Sequence, residues 1–245
     1  MKIVAMIPAR LASTRLSEKL IRDLAGAPVI VRTYEAVKQT LLFDEVYVVT
    51  DSKKIETIVL AKGAKVLFSS TPHATGSDRL AEAASKIEAD LVINVQGDEP
   101  FIDKQSLERL IEIFKGDTER QVDLASLMTP LLDAEEAKNP NVVKVITDLS
   151  GRALYFSRSV IPFNRSGSSA TVLFKHKGVY AFRKQALVDF SQLAIGPLEQ
   201  AESIEAIRFL EHGRVLQMVE TPNDSIGIDT LEDLERAEQL IKIRS

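Results

Sequence analysis

Three cations follow an apolar stretch of strand length near the start of the chain: Arg10, Arg15 and Lys19 come directly after Ile3-Val-Ala-Met-Ile-Pro8, with mostly small residues between them. A loop beyond a buried strand that offers two guanidinium forks, an ammonium point charge and backbone N–H groups suits a polyphosphate. Neither G-x-x-x-x-G-K-[ST] nor G-x-G-x-x-G occurs in the chain, so this is neither a Walker-type loop nor a dinucleotide fingerprint. A second constellation is Val95-Gln96-Gly97-Asp98-Glu99-Pro100, after a strongly apolar run. A carboxylate held there suits Mg²⁺, which takes one or two carboxylates and completes its shell with water and substrate phosphate oxygens. Asp229, just before Thr230 and a helical pattern, is the candidate partner carboxylate, although an acid in that place also serves as a plain helix N-cap. A third, weaker signal is His73-Ala-Thr-Gly76-Ser77-Asp-Arg79, a glycine-containing loop entering a helix, where Ser77 and Arg79 would add to the anion affinity of a helix N-terminus.

These groups need elements to carry them. Ile3 to Ile7 reads as a buried strand, Pro28 to Leu42 as a helix, and Glu45 to Thr50 as a second strand. Asp51 is the expected N-cap of a helix running to about Lys62, with Gly63 as its stop. Ala64 to Phe68, Ser77 to Ile87, Asp90 to Val95 and Lys104 to Lys115 continue the alternation of strand and helix. That alternation implies right-handed βαβ units and a parallel sheet, with ligands beyond the carboxyl ends of the strands. Under that rule the loops after Ile7, Thr50, Phe68 and Val95 meet on one edge. The second half is less regular. Strands are expected at Asp123 to Met128, Val142 to Thr147, Ala153 to Ser157 and Phe174 to Phe182, with a flexible connection at Gly167-Ser168-Ser169. Helices are expected at Pro197 to His212 and Leu231 to Ile243.

The fold class that follows is α/β, a mostly parallel sheet in a single domain over residues 1–245, with a nucleotide-binding half to about residue 120 and an excursion used for association beyond it. The net charge of −4 argues against a general nucleic-acid binder. The absence of cysteine excludes disulfides, thiolate zinc sites and cysteine nucleophiles. No apolar run reaches the roughly 18 residues of a membrane span and no signal-peptide pattern opens the chain, so a cytoplasmic protein with no membrane partner is expected.

Taken together, Ile7-Pro-Ala9-Arg10 with Arg15 and Lys19, Gly76-Ser77-Asp-Arg79, Asn94-Val-Gln96-Gly-Asp98-Glu-Pro, Tyr155-Phe-Ser-Arg158-Ser-Val-Ile-Pro, His176-Lys-Gly-Val-Tyr180, Pro197-Leu-Glu-Gln-Ala-Glu202 and Gly227-Ile-Asp229-Thr resemble the 3-deoxy-manno-octulosonate (Kdo) cytidylyltransferases, nearly end to end and in order. That resemblance implies a Rossmann-like α/β/α nucleotidyltransferase acting as a homodimer. It would join CTP and the acidic eight-carbon sugar Kdo to give CMP-Kdo and pyrophosphate, for lipopolysaccharide assembly. By the same resemblance Ala9, Arg10, Arg15, Lys19, Ser77, Arg79 and Gln96 surround the nucleotide. Asp98 and Asp229 hold Mg²⁺, with Lys19 counted in the catalytic group, and Arg158, His176, Tyr180 and Glu205 face the sugar.

Two departures stand out. The family's first loop commonly reads Ser-Arg-Phe-Pro-Gly-Lys-Pro, whereas this chain has Thr14-Arg15-Leu-Ser17-Glu18-Lys19-Leu. A negative charge thus stands beside a phosphate site. The family's Glu-Gln-Leu-Arg is here Glu205-Ala206-Ile207-Arg208, which keeps open the 8-amino analogue of Kdo as substrate. A catalytically silent nucleotide-binding relative is the alternative from another class.

Overall fold

The computed structural model describes residues 1–13, 15–69, 76–165, 172–222 and 227–244. The anion loop expected at His73–Thr75 and the flexible connection at Gly167–Ser169 lie outside the described residues. The chain divides into two compact units, one of residues 1–107 with 225–245 and one of residues 108–224.

In the first unit, β1 (Ile3–Ala9) is followed by a single turn of 3₁₀ helix at Lys19–Ile21 and a two-residue-per-strand hairpin, β2 (Asp23–Leu24) and β3 (Ala27–Pro28). Then come α1 (Val29–Gln39), β4 (Glu45–Thr50), α2 (Lys53–Leu60), β5 (Lys65–Phe68), α3 (Gly76–Ser85) and β6 (Leu91–Asn94). The strands lie in the order β6-β1-β4-β5, all parallel, with Val4 opposite both Glu45 and Val92. Val4 to Ile7 and all of β6 are buried, as strands covered on both faces must be. The carboxyl ends of β1 and β6 are therefore neighbours, and the Arg10 and Asp98 loops leave from the same edge. Helix α4 (Lys104–Gly116) carries the chain into the second unit.

That unit contains β7 (Leu124–Leu131), α5 (Ala134–Lys138), β8 (Lys144–Thr147), β9 (Ala153–Ser157) and β10 (Leu173–Arg183), then α6 (Lys184–Phe190), α7 (Pro197–Glu202), α8 (Ala206–Glu211) and β11 (Leu216–Glu220). β10 runs antiparallel to β7 and β8, β8 is antiparallel to β9, and β11 is parallel to β7. The last helix, α9 (Leu231–Arg244), belongs to the first unit.

Three expectations change. The helix expected over Pro197 to His212 is two helices, because Ser203 at φ 53° turns left-handed and breaks the repeat. The N-cap of α2 is Ser52, whose side chain accepts from the Ile55 N–H at 3.4 Å; the Asp51 carboxylate instead meets Arg79. Pro28 sits at the N-cap of α1 rather than inside it.

Candidate active site

The carboxylate of Asp98 is aimed by a close packing that only glycine permits. Asn94 ends β6, the Val95 N–H still donates to the Met6 carbonyl at 3.1 Å, and the chain then turns back, Glu99 N–H to Gln96 carbonyl at 3.1 Å. At Gly97 an added Cβ would lie 2.9 Å from the Pro8 carbonyl oxygen, closer than real Cβ atoms come. The Gly97 carbonyl is held from the other side by the buried Thr33 hydroxyl of α1, at 2.9 Å. The backbone leading into Asp98 is thus fixed to β1 and α1.

Asp229 reaches the same place. The Ile228 N–H donates to the Asp98 carbonyl at 2.9 Å, which ties the two acid-bearing segments together. The cap of α9 is Thr230, paired with Asp233: the Thr230 N–H and hydroxyl donate to Asp233 Oδ2 at 2.8 and 2.9 Å, and the Asp233 N–H donates to Thr230 Oγ1 at 3.2 Å. This capping box removes the ordinary reading of Asp229 as an N-cap and leaves its carboxylate free for other work.

That work is ion pairing. Lys19, on the 3₁₀ turn, donates from Nζ to Asp98 Oδ2 and, at 2.7 Å, to Asp229 Oδ1, and Arg15 Nη2 lies 3.0 Å from Asp229 Oδ2. Burial alone would push the Lys19 ammonium down; the two carboxylates more than reverse this and hold it above the ordinary lysine value. Arg10 is exposed and has no carboxylate partner among the described residues. Gln96 joins Arg10, Arg15, Lys19, Asp98 and Asp229 around one open, polar pocket.

Glu18 does not add its charge to this pocket. It takes the left-handed conformation, φ 51° and ψ 31°, that glycine adopts more easily, and its carboxylate pairs with Lys54 of α2 at 3.1 Å. Arg79 is buried and donates to the Ala9 carbonyl at 3.1 Å and to Asp51, so it braces the end of β1 rather than presenting a free fork. Ser77 is buried in the first turn of α3.

In the second unit, Arg158 follows β9 and spends three of its five side-chain N–H groups on backbone carbonyls: Glu202 at 2.7 Å, Pro140 at 2.8 Å and Ser203 at 3.3 Å. An uncommitted bidentate fork is therefore not what this residue presents. Its own backbone is fixed by Glu202, which accepts from the Arg158 N–H at 2.8 Å and from the Ser157 hydroxyl at 2.6 Å. Lys144, fully buried, gives its ammonium to the carbonyls of Asn139, Val142 and Arg158. Burial pushes its pKa down, against the pull of Glu202. The sequence marks neither Lys144 nor Thr33, because a lysine or threonine in a strand or helix pattern carries no sign of what it will meet, and Asp51, expected as an N-cap, is the partner of Arg79 instead.

His176 and Tyr180 lie on β10 with ring centroids 5.3 Å apart, and Phe156 meets the His176 ring edge-on at 5.0 Å. His176 Nε2 is 2.8 Å from Ser126 Oγ, whose one proton is directed at the carbonyls of Val179 and Lys177. The hydroxyl must then accept from the imidazole, which assigns the proton to Nε2 and leaves Nδ1 an acceptor. Burial raises the Tyr180 pKa, with the Glu205 carboxylate adding to it. Burial also lowers His176 to about 4.

The folded protein thus keeps His176 neutral at pH values where the unfolded chain, protonating near pH 6.5, has bound a proton. Stability falls as pH drops from about 6.5 toward 4 and is unaffected by this group above that window. Between pH 7.5 and 5 the wild type is expected to lose about 2 kcal/mol more than His176→Gln. Urea unfolding of both at the two pH values checks this; equal losses would refute it.

Comparison with known proteins is consistent with this geometry. The family model described as "Cytidylyltransferase" matches residues 4–221. The 3-deoxy-manno-octulosonate cytidylyltransferase of Flavobacterium johnsoniae is 51% identical over 99% of each chain, and that of Christiangramia forsetii is 53% identical over 98% of this chain and 97% of its own. This chain belongs to the 3-deoxy-manno-octulosonate cytidylyltransferase family. A solved CMP:2-keto-3-deoxy-manno-octonic acid synthetase complexed with CTP is similar to this cytidylyltransferase with a TM-score of 0.94 and 37% identity, over 100% of both chains. Among the described residues of the cytidylyltransferase no helix is long and apolar enough to cross a membrane.

Proposed function

We propose that this chain transfers the cytidylyl group of CTP to Kdo, the sugar acid named for its curated relatives, and so supplies activated Kdo for lipopolysaccharide assembly. The anomeric hydroxyl oxygen forms a bond to the α-phosphorus, the bond from that phosphorus to the bridging oxygen breaks, and pyrophosphate leaves while the hydroxyl proton passes to solvent. The observation that carries this reading is the convergence of Asp98, Asp229, Lys19 and Arg15 at the carboxyl ends of the strands, in a chain so similar to a synthetase complexed with CTP.

Arg10, Arg15 and Lys19 bind the triphosphate and offset the charge that grows on the leaving pyrophosphate. Gln96 and the Ala9 end of β1, braced by Arg79, line the nucleotide's side of the pocket, with Ser77 nearby in sequence order on α3. Arg158, through its two remaining N–H groups, His176 through Nδ1, Tyr180 and Glu205 receive the sugar acid.

The donor set fits Mg²⁺. Oxygens of Asp98 and Asp229 converge on one ammonium nitrogen, and both donors are hard. Two carboxylates plus substrate oxygens is the usual protein share of such a site. Bound there, Mg²⁺ would supply positive charge at the α-phosphate and the attacking hydroxyl.

A homodimer is part of the proposal. Val160, Phe163 and Val172, flanking the connection from β9 to β10, are exposed, Phe163 at 87%, and an apolar surface of that kind suits a second copy of the chain. Light scattering reporting a monomer at micromolar concentration would overturn that part. Pyrophosphate release from CTP and Mg²⁺ with Kdo, compared with its 8-amino analogue, tests the activity. Release with Kdo is expected; a strong preference for the amino sugar would reassign the substrate, and none with either would favour a silent nucleotide binder.

A further inference from the structure

Two carboxylates that share one small site repel each other and need a cation between them to stay converged. In the first unit that cation is supplied by the chain. Lys19 Nζ bonds Asp98 and Asp229 together, and the side chain is 15% exposed, so the contact is sheltered from competing water. Its backbone is equally constrained: the Lys19 N–H donates to the Leu16 carbonyl at 3.2 Å, and Glu18 before it is anchored on Lys54. Arg15 adds a second cation on the other oxygen of Asp229. The oxygens best placed to ligate a divalent cation are therefore already satisfied, by a group that must leave before they can ligate.

We infer that Lys19 is a built-in surrogate for the divalent cation, a positioning residue that holds Asp98 and Asp229 converged and blocks metal capture until a nucleotide's phosphates draw its ammonium away. The inference rests on the reading of Asp98 and Asp229 as the Mg²⁺ ligands. Among the described residues the partners of the Lys19 ammonium are the two carboxylates, and a polyanion entering beside Arg10 and Arg15 would compete with them. A triphosphate offers more negative charge than the two acids, at the same end of the same side chain. Nucleotide binding and metal binding are then positively coupled, and the coupling is reciprocal: each tightens the other by the same factor.

Mn²⁺ alone, followed by electron paramagnetic resonance on the full-length protein without nucleotide, reads the inference without any turnover. Lys19→Met is expected to bind Mn²⁺ at least about tenfold tighter than wild type, equivalent to about 1.4 kcal/mol. Lys19→Gln, which removes the charge but keeps a polar tip, is expected to do the same and serves if the first variant folds poorly. The tightening should vanish in Lys19→Met/Asp98→Asn. If neither lysine variant binds Mn²⁺ more tightly than wild type, including the case of no binding by any of them, the surrogate role is wrong. If the variants do bind tightly but Asp98→Asn leaves that affinity unchanged, the metal is elsewhere and the Mg²⁺ reading fails with it.

Discussion

Asp98→Asn should lower kcat by about a thousandfold or more, roughly 4 kcal/mol of transition-state stabilisation, while the protein stays folded. The amide matches the carboxylate in size, and the turn that aims it is fixed by Gly97 and Thr33, which the substitution leaves alone. What changes is charge. Lys19 and Arg15 would share Asp229 alone, and an amide oxygen is a poor ligand for a hard cation beside a phosphate. Because Lys19 keeps its 2.7 Å pair with Asp229 and Asp98 becomes a neutral amide, the substitution leaves no buried charge unpaired and should keep the protein folded. Steady-state kinetics beside a thermal melt separates the two effects. A variant within tenfold of wild-type kcat would remove Asp98 from the reaction, whereas lost activity with a collapsed melt would show damage to the fold instead.

How far this site was legible in the sequence depended on what kind of information each residue carried. Arg10, Lys19 and Asp98 could be singled out because strand-to-loop boundaries are written in hydrophobicity and parallel sheets gather those boundaries on one edge, and Asp229 because an acid stands directly before a helical pattern. β1, β4, β5 and β6 fall within a few residues of the expected strands for the same reason, a run such as Glu45–Thr50 being built on Val46-Tyr-Val-Val49, whereas the two-residue strands β2 and β3 were not expected. Backbone geometry without a compositional mark was not legible. Ser203 adopts a left-handed conformation that its side chain does not favour, so a helical pattern concealed a break. β11, Leu216–Glu220, holds a single β-branched residue, Val219, so its run carries little strand preference. Partner choice was also hidden. Glu18 stands beside a phosphate site in the sequence, yet Lys54, far along the chain, holds it, and Arg158, expected to face the sugar, is bound to the carbonyls of Pro140, Glu202 and Ser203.

The break at Ser203 makes the buried pair on either side of it the place where stability and the sugar-facing residues meet. Glu199 of α7 accepts from Arg208 Nε and Nη2 of α8 at 2.6 Å each, and both side chains are almost wholly buried. The Arg208 guanidinium also lies 4.2 Å from the centre of the Phe190 ring, which in turn stacks on Phe209 at 4.9 Å. Glu199→Gln keeps the shape and removes the carboxylate charge that Arg208 Nε and Nη2 both meet in this buried setting. The expected cost is about 3 to 5 kcal/mol, a drop of about 10 °C in Tm. Replacing both partners with apolar residues of similar volume should recover most of that loss, because the penalty comes from burying the guanidinium without the Glu199 charge rather than from losing the pair itself. α7 also carries Glu202, which fixes the Arg158 backbone, and the N-cap of α8 is Glu205, whose charge acts on Tyr180. Loosening them should therefore raise KM for the sugar acid more than KM for CTP, whose phosphate-binding residues lie in the first unit. Urea unfolding of Glu199→Gln and of the apolar double variant, with KM measured for both substrates, checks both halves. A single variant within 1 kcal/mol of wild type would show the pair to be dispensable, and equal rises in both KM values would break its link to the sugar-facing residues.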